Sequence, residues 1–187
     1  MSIFEPTLES HIAHKHNNQF IFDPCFKILN NLNDKIKDKN LIMRFHNRQF
    51  GLFEYQTFEE KYPKIKKDLQ KIKYEDLISR TKIFLSPYLG TGYLETLSIN
   101  LPTIVFNSKK VNILRDEVKP YYEKLKKVNI FFDDEIELTN HINKIWNNPL
   151  KWWNSNNLQE VLKEFCDNFA FDNKNKLKNL KEIIVNR

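Results

Sequence analysis

The sequence predicts an α/β fold: one domain with a parallel sheet covered by helices on both faces and a helical C-terminus. Three observations carry this. Short apolar runs of strand length, at 41–45, 82–86, 102–106 and 129–132, alternate with segments whose apolar residues recur at helical spacing. Alternation of strand and helix is the pattern of parallel sheets, whose strands are apolar on both faces. Beyond residue 132 the pattern is helical only.

Taken in order, residues 1–19 are polar, contain His11, His14 and His16, and read as a lead-in segment. Residues 20–22 fit a short strand. Asp23-Pro24 marks a helix start, with Asp as cap and Pro at the first position. Phe26, Leu29, Leu32 and Ile36 continue that helix to about residue 37. A turn at Lys39-Asn40 leads into the strand at 41–45, and 46–51 is a polar loop. Residues 58–62 form a short helix stopped by Pro63, 64–67 have weak strand character, and 74–81 form another short helix. The strand at 82–86 is followed by a helix over 91–100 and the strand at 102–106. A helix over 110–128 is interrupted near Pro120, and 129–132 is a short strand. Asp133-Asp134 caps a helix through Trp146, with Ile136, Leu138, Ile142 and Ile145 as its apolar side. Residues 158–169 and 174–185 close the chain as two helices. This divides it into an N-terminal segment and helix, 1–39, and a ligand-binding domain, 40–187.

The 187 residues suffice for one domain with a proper core. A hydrophobic fraction of 41% excludes a disordered chain. The formal net charge of +6 comes largely from lysines along predicted helices, which is how solvated faces look. No nucleic-acid-binding motif accompanies it, so nucleic acid is not an expected partner. Cys25 and Cys166 are far apart, show no zinc spacing, and read as buried free thiols of a reducing compartment. The N-terminus lacks the pattern of a signal peptide, and no apolar run approaches the ~20 residues that span a bilayer. The expected location is cytoplasmic, with peripheral contact at the inner membrane left open.

Chemistry concentrates at residues 84–106. Two of the three glycines, Gly90 and Gly92, fall here, between a strand and a helix. In an open parallel sheet, ligands bind beyond the carboxyl ends of the strands. Glycines allow close backbone approach, and a helix start offers N–H groups and a positive dipole end that suit a phosphate. Thr91 adds a hydroxyl. Glu95 lies one turn on, on the same side as Thr91, where a carboxylate can accept hydrogen bonds from two ribose hydroxyls. The competing reading is a tight loop followed by a solvated glutamate, since Gly-x-Gly alone is weakly specific.

This stretch resembles the donor-binding core of GT-B glycosyltransferases and of the related polyol-phosphate transferases. The matching residues are Gly90-Thr91, Leu94-Glu95 and 100–106. More closely, the chain is similar to the C-terminal part of a family of surface-polysaccharide transferases from bacterial O-antigen and cell-envelope gene regions. Met43-Arg44-Phe45-His46, residues 90–97 and 100–104, Leu114-Arg115-Asp116 and Lys119-Pro120-Tyr121 carry that similarity, as do Ile145-Trp146, Trp152-Trp153 and Glu164-Phe165-Cys166-Asp167. It covers roughly residues 40–170.

The resemblance implies a Rossmann-like domain, the C-terminal half of a GT-B enzyme, that binds a nucleotide-activated sugar as substrate and uses no cofactor. It implies donor-nucleotide contacts from Arg44, Arg48, Gly90, Thr91, Gly92, Glu95 and Arg115, with no catalytic residue assigned. Family members are longer, and their N-terminal domain supplies the acceptor site. An acceptor-domain polypeptide or a second copy is therefore the expected partner, and aromatics around residues 20–26 and 165–171 should be uncovered without it. Two alternatives remain beside this one: a CDP-glycerol-type polyol-phosphate transferase, and a truncated, non-catalytic nucleotide-binding remnant.

Other residues carry two readings each. Arg44 and Arg48, with His46, stand at a strand's carboxyl end, where guanidiniums bind diphosphates or join surface ion pairs. Arg115 and Lys119 reach either the donor phosphates or Asp116 and Glu123. His11, His14 and His16 lack a carboxylate or thiol at ligand spacing, so no metal is expected. Trp146, Trp152 and Trp153, like Tyr121-Tyr122, read as packing rather than sugar-stacking residues.

Overall fold

The computed structural model describes residues 2–4, 17–45, 54–108 and 114–170. Its strands are β1 (Ser2–Phe4), β2 (Leu41–Arg44), β3 (Lys66–Asp68), β4 (Ile83–Ser86), β5 (Thr103–Phe106) and β6 (Phe131–Phe132). They form one sheet in the order β3-β2-β1-β4-β5-β6, and every pairing is parallel. The helices are α1 (Asn17–Asn31), α2 (Asp34–Asn40), α3 (Glu54–Lys61), α4 (Tyr74–Ile78), α5 (Gly92–Ser98), α6 (Lys119–Lys127), α7 (Glu135–Ile145), α8 (Pro149–Trp153) and α9 (Asn156–Phe169). The fold is the α/β, Rossmann-like one that the sequence predicts.

The continuous apolar runs have a simple geometric cause. Successive strand residues point to opposite faces, so a strand covered on both sides must be apolar throughout. Leu41 and Met43 of β2, Ile83 and Leu85 of β4, and Ile104 and Phe106 of β5 enter one core. That core also holds Cys25, Ile28 and Leu29 of α1 and Leu138 and Ile142 of α7. The intervening Ile42, Phe84 and Val105 enter a second core with Tyr93 and Leu97 of α5, Leu125 of α6, and Leu158, Leu162 and Phe165 of α9.

Two helix–strand junctions use the same stop. Asn100 after α5 and Asn129 after α6 adopt left-handed backbone, with φ of 58° and 60°. At the first, Asn100 N–H donates to the Leu97 carbonyl (2.9 Å) and Leu101 N–H to the Thr96 carbonyl (3.0 Å). At the second, Asn129 donates to Lys126 (3.0 Å) and Ile130 to Leu125 (2.9 Å). This pair of bonds is the Schellman arrangement, in which the left-handed residue is usually Gly and sometimes Asn. Elsewhere Asp134 caps α7 by accepting from the amides of Ile136 and Glu137, and Asn148 caps α8 ahead of Pro149.

Several expectations need correction. Residues 20–22 are not a strand but part of α1, which starts before Asp23 and contains Pro24. The missing proline N–H disfavours this by about 3 kcal/mol. It is offset by a stripe, Phe22, Cys25, Phe26 and Leu29, that packs Phe22 and Phe26 against Phe58 of α3. The strand lies earlier instead: Ser2–Phe4 pairs with both β2 and β4 at the middle of the sheet, and α1 packs on α7. Helix α6 begins only at Lys119. Of the aromatics expected to be uncovered, Phe22 and Phe165 are buried and Phe26 and Phe169 pack against the two cores, while Phe20 and Phe171 lie outside the described side chains. Residues 174–185, His11, His14, His16 and His46 lie outside the described residues. Cys25 and Cys166 are free and buried. Among the described residues no helix is long and apolar enough to cross a membrane.

Candidate functional site

The strand order places the candidate site. Strands β1 and β4 are neighbours, but the next strands in sequence lie on opposite sides, β2 beyond β1 and β5 beyond β4. Their following helices cover opposite faces: α1 contributes to the first core and α5 to the second. Where connections diverge in this way, a crevice opens at the carboxyl ends of the strands. The segment entering it from β4 is 87–91, the glycine-containing loop.

That loop is tightly built. The Ser86 hydroxyl donates to the Tyr88 carbonyl (2.7 Å), and Gly90 N–H donates to the same oxygen (3.1 Å). A Cβ at Gly90 would lie 2.6 Å from Cε2 of Tyr88. A side chain at position 90 would therefore displace the Tyr88 ring, a constraint that Gly-x-Gly spacing does not reveal. Thr91 is exposed at the N-cap position of α5, its carbonyl accepts from Leu94 and Glu95, and its hydroxyl makes no capping bond. Gly92 is the first residue of α5. Tyr93, Thr96 and Leu97 are buried, whereas Thr91, Glu95 and Ile99 are exposed. Positions four apart share a helix face, so Thr91 and Glu95 do stand on one open stripe.

The helix itself is anchored by hydroxyls. Thr96 Oγ1 donates to the Gly92 carbonyl (3.2 Å) and accepts from Thr103 Oγ1 of β5 (2.9 Å). The hydroxyls of Tyr93 and Tyr122 lie 2.6 Å apart, linking α5 to α6. Burial pushes the Tyr93 pKa up, and the neighbouring Tyr122 pushes it further.

Arg44 ends β2, one strand from β1 on the side away from β4, so its backbone lies about 10 Å from the end of β4 at ordinary strand spacing. Its side chain is buried, 8% exposed, and Nη1 donates to Oδ2 of Asp68 (2.5 Å) and to the Ile72 carbonyl (3.0 Å). Asp68, 3% exposed, accepts with its other oxygen from the amides of Lys71 (3.0 Å) and Ile72 (3.2 Å). The guanidinium also lies 5.6 Å from the Tyr74 ring centre. Arg44 thus belongs to a buried ion pair that holds the turn from β3 to α4, rather than to a surface cluster. Asp68 was not recognisable from sequence, because its partner is 24 residues away.

Arg115 is exposed just before α6, and its carbonyl accepts from Val118 (3.1 Å) and Lys119 (3.2 Å). Lys119 bonds Asp116 (2.6 Å), the ion-pair alternative read from sequence. Arg48 lies outside the described residues. Asn107, which sequence reasoning passed over, is a buried polar residue just beyond β5, its amide donating to the Phe132 carbonyl (2.9 Å). The usable signal was a polar residue directly after an apolar strand, at the carboxyl edge of the sheet. Among the described residues no three His, Cys, Asp or Glu side chains gather as a metal site. Trp152 and Trp153 are packing residues, their indole N–H groups donating to the Val128 and Asn100 carbonyls.

The LIC12162 family transferase model matches residues 1–184. The chain belongs to that family of transferases. No curated protein and no solved structure matches it.

Proposed function

We propose that this transferase chain binds the nucleotide part of a nucleotide-activated sugar in the crevice between β1 and β4, as the donor half of a GT-B-type glycosyltransferase of surface-polysaccharide synthesis. The observation that carries the reading is the loop 87–91 and helix α5 leaving β4 where the connections of the parallel sheet diverge. In this reading Gly90, Thr91 and Gly92 face the diphosphate and Glu95 receives the ribose hydroxyls. Arg115, exposed ahead of α6, supplies a cation toward the phosphates. Arg44 reaches a phosphate only if its pair with Asp68 opens, and Arg48 would complete that side. An N-terminal acceptor domain, a partner polypeptide or a second copy supplies the other wall of the active site.

A thermal-shift screen over UDP-, GDP-, CDP- and CMP-linked sugars and CDP-glycerol tests this. A ligand that binds only the native state raises stability by mass action, by roughly 2.7 kcal/mol at a hundred times its Kd. Stabilisation by one nucleotide-sugar class supports the proposal. Stabilisation by CDP-glycerol alone redirects it to polyol-phosphate transfer, and none at millimolar ligand overturns it for the isolated chain.

A further inference from the structure

Three helices that are neighbours in space rather than in sequence, α5, α8 and α9, meet at one residue, Asn100. Its left-handed backbone ends α5, a place where glycine is the usual choice because it carries no Cβ penalty. The side chain has a use that glycine could not serve. The indole N–H of Trp153, a residue only 1% exposed, donates to both Oδ1 of Asn100 (2.8 Å) and its carbonyl (3.0 Å). Gln159 of α9 donates through Nε2 to the same Oδ1 (3.2 Å) and to the Trp153 carbonyl (2.8 Å). One amide oxygen thereby gathers the end of α5, the last turn of α8 and the first turns of α9. These donors lie 53 and 59 residues away in sequence.

The other end of α5 carries Gly92 and, one turn on, Glu95. A helix of seven residues is a rigid lever, and its Leu97 side packs into the same core as Trp153, Leu158 and Leu162. Fixing its C-terminal end against α8–α9 therefore fixes where its N-terminal end stands relative to β4. We propose that Asn100 and Trp153 are positioning residues, a clamp through which α8 and α9 set the placement of α5 at the ligand edge. Their effect on ligand rests on the donor-binding reading above; the clamp itself does not.

Two substitutions separate a clamp from a turn residue. Asn100→Gly keeps the left-handed conformation and relieves it, but removes the Oδ1 acceptor. Asn100→Asp keeps an acceptor at that position. Hydrogen exchange of the amides of residues 92–98 is measured for both, with titration of the nucleoside diphosphate matching the best stabilising donor, or UDP if none stabilises. The clamp predicts about tenfold faster exchange in α5 for Asn100→Gly, with α7 and β4 unchanged, weaker diphosphate binding, and recovery of both in Asn100→Asp. Trp153→Phe, which keeps an aromatic ring and removes the donor, should match Asn100→Gly. Unchanged or slower exchange in Asn100→Gly overturns the clamp and leaves Asn100 as a turn residue. Faster exchange spread evenly over α5, α7 and the sheet overturns it too, because the loss is then global. Absence of diphosphate binding in the unsubstituted chain overturns the donor reading instead, while the exchange result still decides the clamp.

Discussion

Replacing Arg44 by alanine distinguishes two roles that the sequence left open at one residue. In the structure the Asp68 carboxylate is 3% exposed and faces the Arg44 guanidinium at 2.5 Å. Two backbone amides, of Lys71 and Ile72, would remain as its partners in the variant. Removing one member of a buried ion pair leaves the other charged and desolvated, at a cost of about 3–5 kcal/mol. The two amide bonds soften that penalty, so the lower end, ~3 kcal/mol, is expected. Total stability of a domain is only about 5–15 kcal/mol, so the loss is a large fraction of it. For a chain of this size each kcal/mol lowers Tm by roughly 2–4 °C, giving a drop of about 6–12 °C. Urea unfolding followed by tryptophan fluorescence measures it. The double variant Arg44→Met with Asp68→Asn should recover part of the loss, since the neutral amide removes the stranded charge and keeps an acceptor for the Lys71 and Ile72 N–H groups. A stability change below about 1 kcal/mol for Arg44→Ala would refute the structural assignment. If that variant stayed stable but lost nucleoside diphosphate affinity, Arg44 would be a phosphate ligand after all.

Two further outcomes follow from named side chains. Glu95→Gln should weaken nucleoside binding about tenfold to a hundredfold, because bonds to a charged acceptor contribute ~1.5–3 kcal/mol. Its exposure means that Tm should hardly move, and calorimetric titration beside a melting curve checks both. His141 of α7 makes the chain less stable in acid. Its Nε2 is buried with no hydrogen-bond partner among the described residues, and the ring lies against those of Phe132 (5.5 Å) and Trp152 (4.9 Å). Burial, helped by the Lys144 ammonium, lowers its pKa to about 4. The unfolded chain takes up this proton first, so stability is intact above about pH 6.5 and is lost as pH falls toward 4. Because the ring is only partly buried, the loss should be on the order of 1 kcal/mol, well below the unscreened value. Urea midpoints at pH 7 and pH 4.5 should therefore differ less in His141→Phe than in the parent chain; an equal difference would remove His141 from the explanation.

Much of this fold is written in local sequence. Residues 41–45, 82–86 and 102–106 announce strands because a strand buried on both faces must be apolar at consecutive positions, and that requirement needs no knowledge of neighbours. The cap at Asp134 is equally local, since a helix end is satisfied by residues within one turn of it. The loop 87–91 and Glu95 stood out for the same reason: two of three glycines in three residues mark a backbone need wherever the chain goes. What the sequence could not show depends on partners that are distant along the chain. Ser2–Phe4 is too short to carry a pattern and becomes a strand only because β2 and β4 supply its hydrogen bonds on both edges. Pro24 sits inside a helix because Phe58 packs against Phe22 and Phe26. Arg44 finds Asp68, and Asn100 finds Trp153, across separations that no local rule spans. Composition and periodicity settled the strands at 41–45, 82–86 and 102–106 and the helix capped at Asp134, because those choices are made within a few residues. The order of the sheet, and with it the divergence of the connections after β1 and β4, was decided by tertiary structure, because only packing brings residues 4 and 86 to the same edge.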